Sequence, residues 1–546
     1  MTRGKRVLPL VAGIAVAAGA AVATTGTAAP GDVAAGLTGV PTANTKSDGY
    51  APDSKLSPQL SEVVVAQGAT KLENPSALTG YYGYDNDVLN AAGEPQMVPT
   101  PTTPTEAHKT EPDKNTYLVF RNGLAGADAN YDYGTRFLFQ GHEGGAGGQG
   151  YLTRVNLDAD PQHRVTLMAD KDANGTPLAT IDGSTWDPFS QRLILTTEGA
   201  SAPTYAATAD YPSTVTDVSG ALGRGGYEGV QDDSAGNLWI VEDIGGSNKP
   251  GTTSKVPNSF VYRYVPAKPG DLANGKLQAL QVLNDAGQPI TQASQTPVNS
   301  PDQVALHTYG TSFTTKWVTI HDTAVDGTTP FNANTAAKAK DATPFKRPEN
   351  GQFRPGSHFG EFFFDETGDT NATSVENSTA GGWGSVMKLT QSDPRADQGK
   401  LTLFYNSDQA HSGFDNVAFL SRDRISFVED AGDTLHSQRN ALDSGYVFDV
   451  NADYSDPANQ PVRWIAEGRD PSATIDSANG GFGKNDGDNE ITGLHVSDGD
   501  PTARGILGAK IPNLRDPHWH WFYTQQHGDN RTFEVLPALP QLRPGS

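Results

Sequence analysis

The 546-residue chain has no cysteine at all. That excludes disulfide staples, zinc–thiolate sites, iron–sulfur clusters and a cysteine nucleophile. Positive charge is scarce as well: 40 Lys and Arg stand against 63 Asp and Glu, for a formal net charge of −23 and a pI near 4.8. A partner recognised by neutralising its phosphate backbone is therefore not expected, so no nucleic acid. After the first two dozen residues no apolar run approaches the roughly 20 residues of a bilayer span, so the mature chain is expected to have no membrane span. The sequence also lacks a HExxH pair, a GxSxG nucleophile elbow and a phosphate-binding P-loop, which leaves zinc-protease, serine-hydrolase and NTPase readings without their signatures.

What the chain does have is glycine and proline, 60 and 37 of them. With 36% hydrophobic and 19% charged residues, this describes many short segments joined by turns and disfavours long helical bundles. Three basic residues, Arg3, Lys5 and Arg6, precede an Ala/Val-rich run from Val7 to about Ala23 and small residues ending at Ala29. Residues 1–29 read as a secretory signal peptide, with a membrane anchor as the other reading, and the protein is expected to be exported. Losing those three charges takes the formal charge from −23 to −26, an excess of carboxylates that suits a calcium-bearing extracellular protein.

Residues 30–113 are rich in Ala, Pro, Thr, Ser and Gly and read as linker-like, with an ordered stretch around Tyr81-Tyr82-Gly83-Tyr84. From residue 114 to 546 apolar runs of strand length alternate with Gly/Asp/Asn clusters, as in Tyr117-Leu118-Val119-Phe120 and Arg192-Leu193-Ile194-Leu195. A loose repeat lies over this pattern, in which strand, tight turn and strand end on a carboxylate. Its instances are Asp182 to Gly199, Tyr227 to Asp243 and Phe414 to Asp430. The steps from Glu198 to Glu242 and from Glu242 to Glu429 suit four-stranded propeller blades of roughly 40–50 residues. The expected fold is all-β, a six-bladed β-propeller with insertions; a pair of β-sandwiches is the alternative. Strands ending in carboxylates around one axis would crowd like charges, which is costly unless cations neutralise them.

Taken in order, these segments resemble the PhoX family of secreted alkaline phosphatases. Phe137-Leu138-Phe139-Gln140-Gly141-His142-Glu143 is similar to a family strand ending in Asn-His-Glu, with Gly141 in place of Asn. The stretch from Leu222 to Val230, followed by Leu238 to Asp243 and Phe260 to Pro266, resembles the signature blade, with Tyr227 in place of a His. Lys346-Arg347-Pro348-Glu349-Asn350-Gly351, Phe414-Asp415-Asn416-Val417 and Tyr523-Thr524-Gln525-Gln526-His527-Gly528 resemble three further family segments.

The resemblance implies a propeller with a calcium and ferric-iron centre that hydrolyses phosphate esters, and so a small phosphorylated substrate; the chain is expected to be a monomer. Carried over, Asp182, Glu198, Glu228 and Glu349 would hold metal, and Arg347 would clamp phosphate beside Glu349 as the catalytic pair; Asp415 and Asn416 would either bind metal with them or cap a turn through side-chain hydrogen bonds. Hard cations take carboxylate oxygens, and Arg presents a planar fork to phosphate. The family's metal-bridging cysteine aligns with Asp182, so calcium is the expected cofactor, and ferric iron would have to be held by oxygen alone. A calcium-stabilised propeller that has lost phosphatase chemistry and binds an extracellular ligand is the alternative. His142 and His527 read as hydrogen-bonded structural residues, and the Asp-rich turns Asp486 to Asn489 and Asp498 to Asp500 as ordinary turns.

Overall fold

The computed structural model describes residues 33–46, 54–97, 100, 102, 104–374, 376–468, 490–528 and 530–538. The expected signal peptide and the Asp486 to Asn489 turn lie outside them. The architecture is all-β and propeller-like.

Two short strands open the described chain, β1 (Lys55–Leu56) and β2 (Leu60–Ala66). A first meander follows: β3 (Pro112–Val119), β4 (Arg136–His142), β5 (Tyr151–Asn156) and β6 (Val165–Ala169). The second is β7 (Ile181–Asp187), β8 (Arg192–Thr197), β9 (Tyr205–Ala207) and β10 (Val215–Asp217). Next come β11 (Tyr227–Asp232), β12 (Leu238–Glu242), β13 (Val261–Pro266), β14 (Gly275–Leu283) and the long β15 (Ser312–Asp322). These join β16 (Gly351–Phe353), β17 (Glu361–Glu366), β18 (Ser385–Gln391) and β19 (Gln398–Asn406) in one nine-stranded sheet, through the pairing of β15 with β19. The last strands are β20 (Phe414–Phe419), β21 (Arg424–Glu429), β22 (Ser444–Asp449) and β23 (Val462–Ala466), then β24 (Glu490–Ser497), β25 (His520–Gln526) and β26 (Arg531–Pro537). The segment read as linker-like is built into this body: β1 pairs with β23, and β2 pairs with β26 as the outer strand of the β24–β26 sheet. Composition hid this because the Pro- and Thr-rich stretch follows β2 and does not include it.

The strands that begin each unit pack in a closed circuit, β3 on β7, β7 on β11, β11 on β16, β16 on β20, β20 on β24 and β24 back on β3. Apolar layers fill the spaces between neighbouring meanders, including the two arms of the nine-stranded sheet. Phe137 and Phe139 meet Leu193 and Leu195, Trp239 meets Phe353 and Phe362, and Trp464 meets Trp521. Each layer buries faces from two neighbouring meanders, so each meander depends on its neighbours for stability.

One local device recurs. In β3, β7, β11 and β20 a bulge after the first residue sets two residues against one on the partner: Asp113-Lys114, Asp182-Gly183, Glu228-Gly229 and Asp415-Asn416. A bulge breaks the in-and-out alternation and re-aims side chains. Here it turns four carboxylates toward the middle of the ring. Where the next strand comes closest the second bulge residue has to be glycine, because a Cβ on Gly183 would overlap the carbonyl of Glu228 and one on Gly229 would press on Asn350.

Candidate metal centre

The strand starts bring Asp113, Asp182 and Glu228 to one end of the ring, and the residues just after β4, β8 and β12 add Glu143, Glu198 and Asp243. Together with Glu349 they form three overlapping triplets, Asp113/Glu143/Asp182, Asp182/Glu198/Glu228 and Glu228/Asp243/Glu349. Within each, one oxygen per residue lies within 4.8 Å of the others. Asp182 and Glu228 each belong to two triplets, so the seven carboxylates are continuous.

Four of the expected ligands, Asp182, Glu198, Glu228 and Glu349, are therefore brought together. Asp113, Glu143 and Asp243 were missed. Glu143 and Asp243 carried a signal, since each ends a quoted motif. The repeat pointed to Glu242, but the residue at the centre is its neighbour Asp243. Glu242 turns into the sheet, where its Oε2 accepts from Phe260 N, Tyr262 Oη and Asn334 Nδ2. Asp415 and Asn416 sit further round the ring. Asn350 Nδ2 reaches Asp415 Oδ1 at 3.4 Å, and Asn416 Nδ2 donates to both Asp415 oxygens at 3.0 Å. Asn416 Oδ1 accepts from Lys114 Nζ at 2.8 Å, so the Asn416 amide is committed to protein partners.

The electrostatics are those of a site short of positive charge. Burial first, then neighbouring carboxylates, push Asp182, Glu228, Glu349 and Glu143 well above the usual range, and Asp113 up to about 6. Glu198 is pushed up to about 7 by desolvation and by Asp243 and Asp113, although its side chain reaches solvent at the mouth. Burial opposes the charge of Arg347, but Asp243 and Glu349 outweigh it and hold the guanidinium firmly charged. Its Nε lies 2.9 Å and its Nη2 2.7 Å from Asp243 Oδ2, and Nη2 lies 3.6 Å from Glu349 Oε1. Among the described residues that leaves the Nη1 edge uncommitted. Arg347 has a left-handed φ of 59° immediately before Pro348, a strained conformation that its surroundings must hold. Thr367 N donates to its carbonyl at 2.8 Å, and Thr367 Oγ1 donates to Glu349 Oε1 at 2.8 Å.

The donor set fits hard cations. It is entirely oxygen, it is crowded, and Glu228 Oε2 is buried with no hydrogen-bond partner. A thiolate-bridged iron pair does not fit, because the chain has no cysteine.

The family departures have structural reasons. A side chain at Gly141 would run into Ile181. Tyr227 Oη donates to Leu222 O at 2.9 Å and packs within the sheet. His142 lies buried between Thr110 Oγ1 and Thr153 Oγ1, and His527 bridges Glu111 and Glu490 at 3.1 and 2.8 Å. The Asp498 to Asp500 turn closes on Lys510 Nζ, at 2.6 and 2.8 Å from the two carboxylates.

Fold and cluster together define a class: a propeller-like all-β protein with a carboxylate-rich centre inside its ring. Residues 252–500 match the family model described as alkaline phosphatase PhoX, which bears out the resemblance carried by the motifs. Glu349, Arg347, Asp415 and Asn416 fall inside that span. No curated protein matches the chain. Among solved structures it is similar to an auxiliary nutrient binding protein from Bacteroides thetaiotaomicron, at 9% identity over 87% of this chain and 76% of that one, with a TM-score of 0.37. It is also similar to a post-proline cleaving enzyme from Rickettsia typhi (10%, 76% and 42%, TM-score 0.27) and a glycosyl hydrolase from Bacteroides ovatus (10%, 87% and 96%, TM-score 0.29). Likenesses this weak carry no argument. No helix among the described residues is long and apolar enough to cross a membrane.

Proposed function

We propose that the chain is an exported metal-dependent phosphatase that hydrolyses small phosphate esters at the carboxylate cluster, with calcium as its principal cation. The observation that carries this reading is the continuity of seven carboxylates beside a charged arginine, in a chain whose residues 252–500 match a phosphatase family. We read the nine-stranded sheet as two blades, β11–β14 and β16–β19, bridged by β15; this makes six blades, in keeping with the closed circuit of six inner strands.

In this reading Asp113, Glu143, Asp182, Glu198, Glu228, Asp243 and Glu349 hold the cations. Bound there, the cations supply charge neutralisation for the phosphate and a lowered pKa for a coordinated water. Asp243 and Glu349 orient the Arg347 fork so that Nη1 meets a phosphoryl oxygen, a charge-assisted bond that strengthens as charge builds on the reacting phosphate. Thr367 holds Glu349 by its hydroxyl, so the carboxylate is fixed before substrate arrives.

The test is metal content by elemental mass spectrometry on protein purified without chelator, paired with p-nitrophenyl phosphate turnover. Chelation should abolish turnover and calcium restore it. Glu349→Gln should lower both metal content and kcat, and Arg347→Ala should reduce kcat/KM by about 10²-fold or more, the scale of losing one transition-state donor. The reading fails if metal-replete protein hydrolyses no phosphate monoester or diester and Glu349→Gln leaves the metal content unchanged.

A further inference from the structure

Two of the inner strands carry acid at both ends. β7 has Asp182 as its second residue and ends with Asp187; β11 has Glu228 as its second residue and ends with Asp232. At about 3.3 Å per residue the far pair lies on the order of 15 Å from the cluster, at the other end of the ring.

Asp232 and Asp233 are neighbours and equally buried, at 1% and 0% exposure, yet their surroundings differ completely. Asp233 is saturated: Oδ1 accepts from Ala235 N and Asn237 N at 2.7 and 3.1 Å, and Oδ2 from Asn237 Nδ2 and Trp239 Nε1, both at 2.8 Å. Among the described residues Asp232 has no hydrogen-bond partner on either oxygen. It borders a small cavity of about 30 Å³, lined also by Thr116, Ser184, Thr185, Trp186 and His495. Asp187 caps its own turn, with Oδ1 and Oδ2 accepting from Phe189 N and Ser190 N at 2.8 and 3.2 Å, and the Ser190 hydroxyl is itself buried without a partner. Burial first and the Asp187 charge next push Asp232 well up, with Thr185 the hydroxyl that counters them. Among the described residues neither Asp187 nor Asp232 has a cationic side chain in salt-bridge range. Arg263, whose field reaches Asp233, is held by Gln278 and by the carbonyls of Pro394 and Ala396.

Asp232 with neither oxygen partnered, the Thr185 hydroxyl and the small cavity that these two line, with the Asp187 carboxylate beside Asp232, make a vacancy in the hydrogen-bond accounting that a hard cation fills. We propose that Asp187, Asp232 and Thr185 form a second, structural cation site for calcium, at the end of the ring opposite the carboxylate cluster. The two carboxylates and the Thr185 hydroxyl offer up to five of the six to eight oxygens calcium takes, and the cavity beside Asp232 has room for a water to add to them. The ion would pin the β7–β8 turn to the end of β11 and so lock two neighbouring sheets in register.

The experiment is calcium stoichiometry by equilibrium dialysis on the chelated, full-length protein. Asp232→Asn should bind one calcium fewer per chain than the parent, whereas Glu349→Gln should keep this site. Without calcium, Asp232→Asn should melt above the parent, because the unneutralised pair is gone; with calcium the order should reverse. Equal stoichiometry for Asp232→Asn and the parent overturns the proposal and makes the two acids a pair sharing a proton. Should that variant fail to fold, Tb³⁺ titration of the parent decides. Sensitised emission reduced by Trp186→Phe supports the site, and emission unchanged by it overturns the site. These outcomes are read whether or not the protein hydrolyses phosphate esters.

Discussion

Lys114 Nζ donates to Asn416 Oδ1 at 2.8 Å, joining the bulge of β3 to the bulge of β20 across the ring. The same ammonium also donates to Leu494 O at 3.1 Å. It is buried, and although burial pushes its pKa down, Asp113, Asp415 and Asp182 pull it back up. It thus acts as an internal cation beside the carboxylate cluster.

Lys114→Met removes that charge and leaves Asp113 and Asp415 facing each other. Breaking a buried charge network by deleting one partner costs about 3–5 kcal/mol. The variant should melt well below the parent in chelator, and calcium should recover more of the loss in the variant than it adds to the parent. Thermal unfolding with and without calcium checks this; a calcium response equal to the parent's would remove Lys114 from the charge balance.

The glycines in the bulges are held to their size by the neighbouring strand. Gly183→Ala sets a methyl against the Glu228 carbonyl, and overpacking of this kind costs about 1–3 kcal/mol. Gly245→Ala, with open space around the added carbon, should be close to neutral. Urea midpoints of the two variants should separate accordingly.

The protein should lose stability in acid through two buried histidines. Desolvation pushes His142 and His495 down to about 3, from an ordinary value near 6.5. The unfolded chain then binds protons that the fold refuses, so the stability they contribute is complete above about pH 6.5 and is lost as pH falls toward 3. His142→Gln, which can still bond to Thr110 and Thr153, should make the fall between pH 6.5 and pH 4 shallower. Denaturant midpoints against pH are the measurement, and an unchanged slope would contradict it.

Deleting residues 54–66 removes β1 and β2 and leaves β26 as an open edge. It also uncovers part of the layer in which Leu60 packs near Trp521, Tyr523, Phe533 and Val535. The truncated protein should unfold at a markedly lower temperature and expose tryptophan to quencher, because an open edge and a bared apolar face destabilise together.

Much of the architecture was legible from local signals. Alternating apolar runs and Gly/Asp turns depend only on neighbouring residues, so strands such as Arg192–Thr197 and Arg424–Glu429 could be read directly. The recurrence of a carboxylate after each such strand pointed to Glu198, and the motifs pointed to Asp182, Glu228, Glu349 and Arg347. The absence of cysteine excludes thiolate donors on the sequence alone.

Only the tertiary structure decided which carboxylates share a site. Glu242 and Asp243 are adjacent and chemically alike, but successive strand residues point to opposite faces, and this puts one in the sheet and the other in the cluster. Asp113 lies in a stretch whose composition says linker, and a bulge in β3 brings it to the centre. Asp233 draws its four donors from Ala235, Asn237 and Trp239 in its own hairpin, whereas packing leaves the neighbouring Asp232 with none among the described residues. Residue types and local periodicity are properties of the chain; which groups meet, and which are left without a partner, depends on contacts between residues far apart along it.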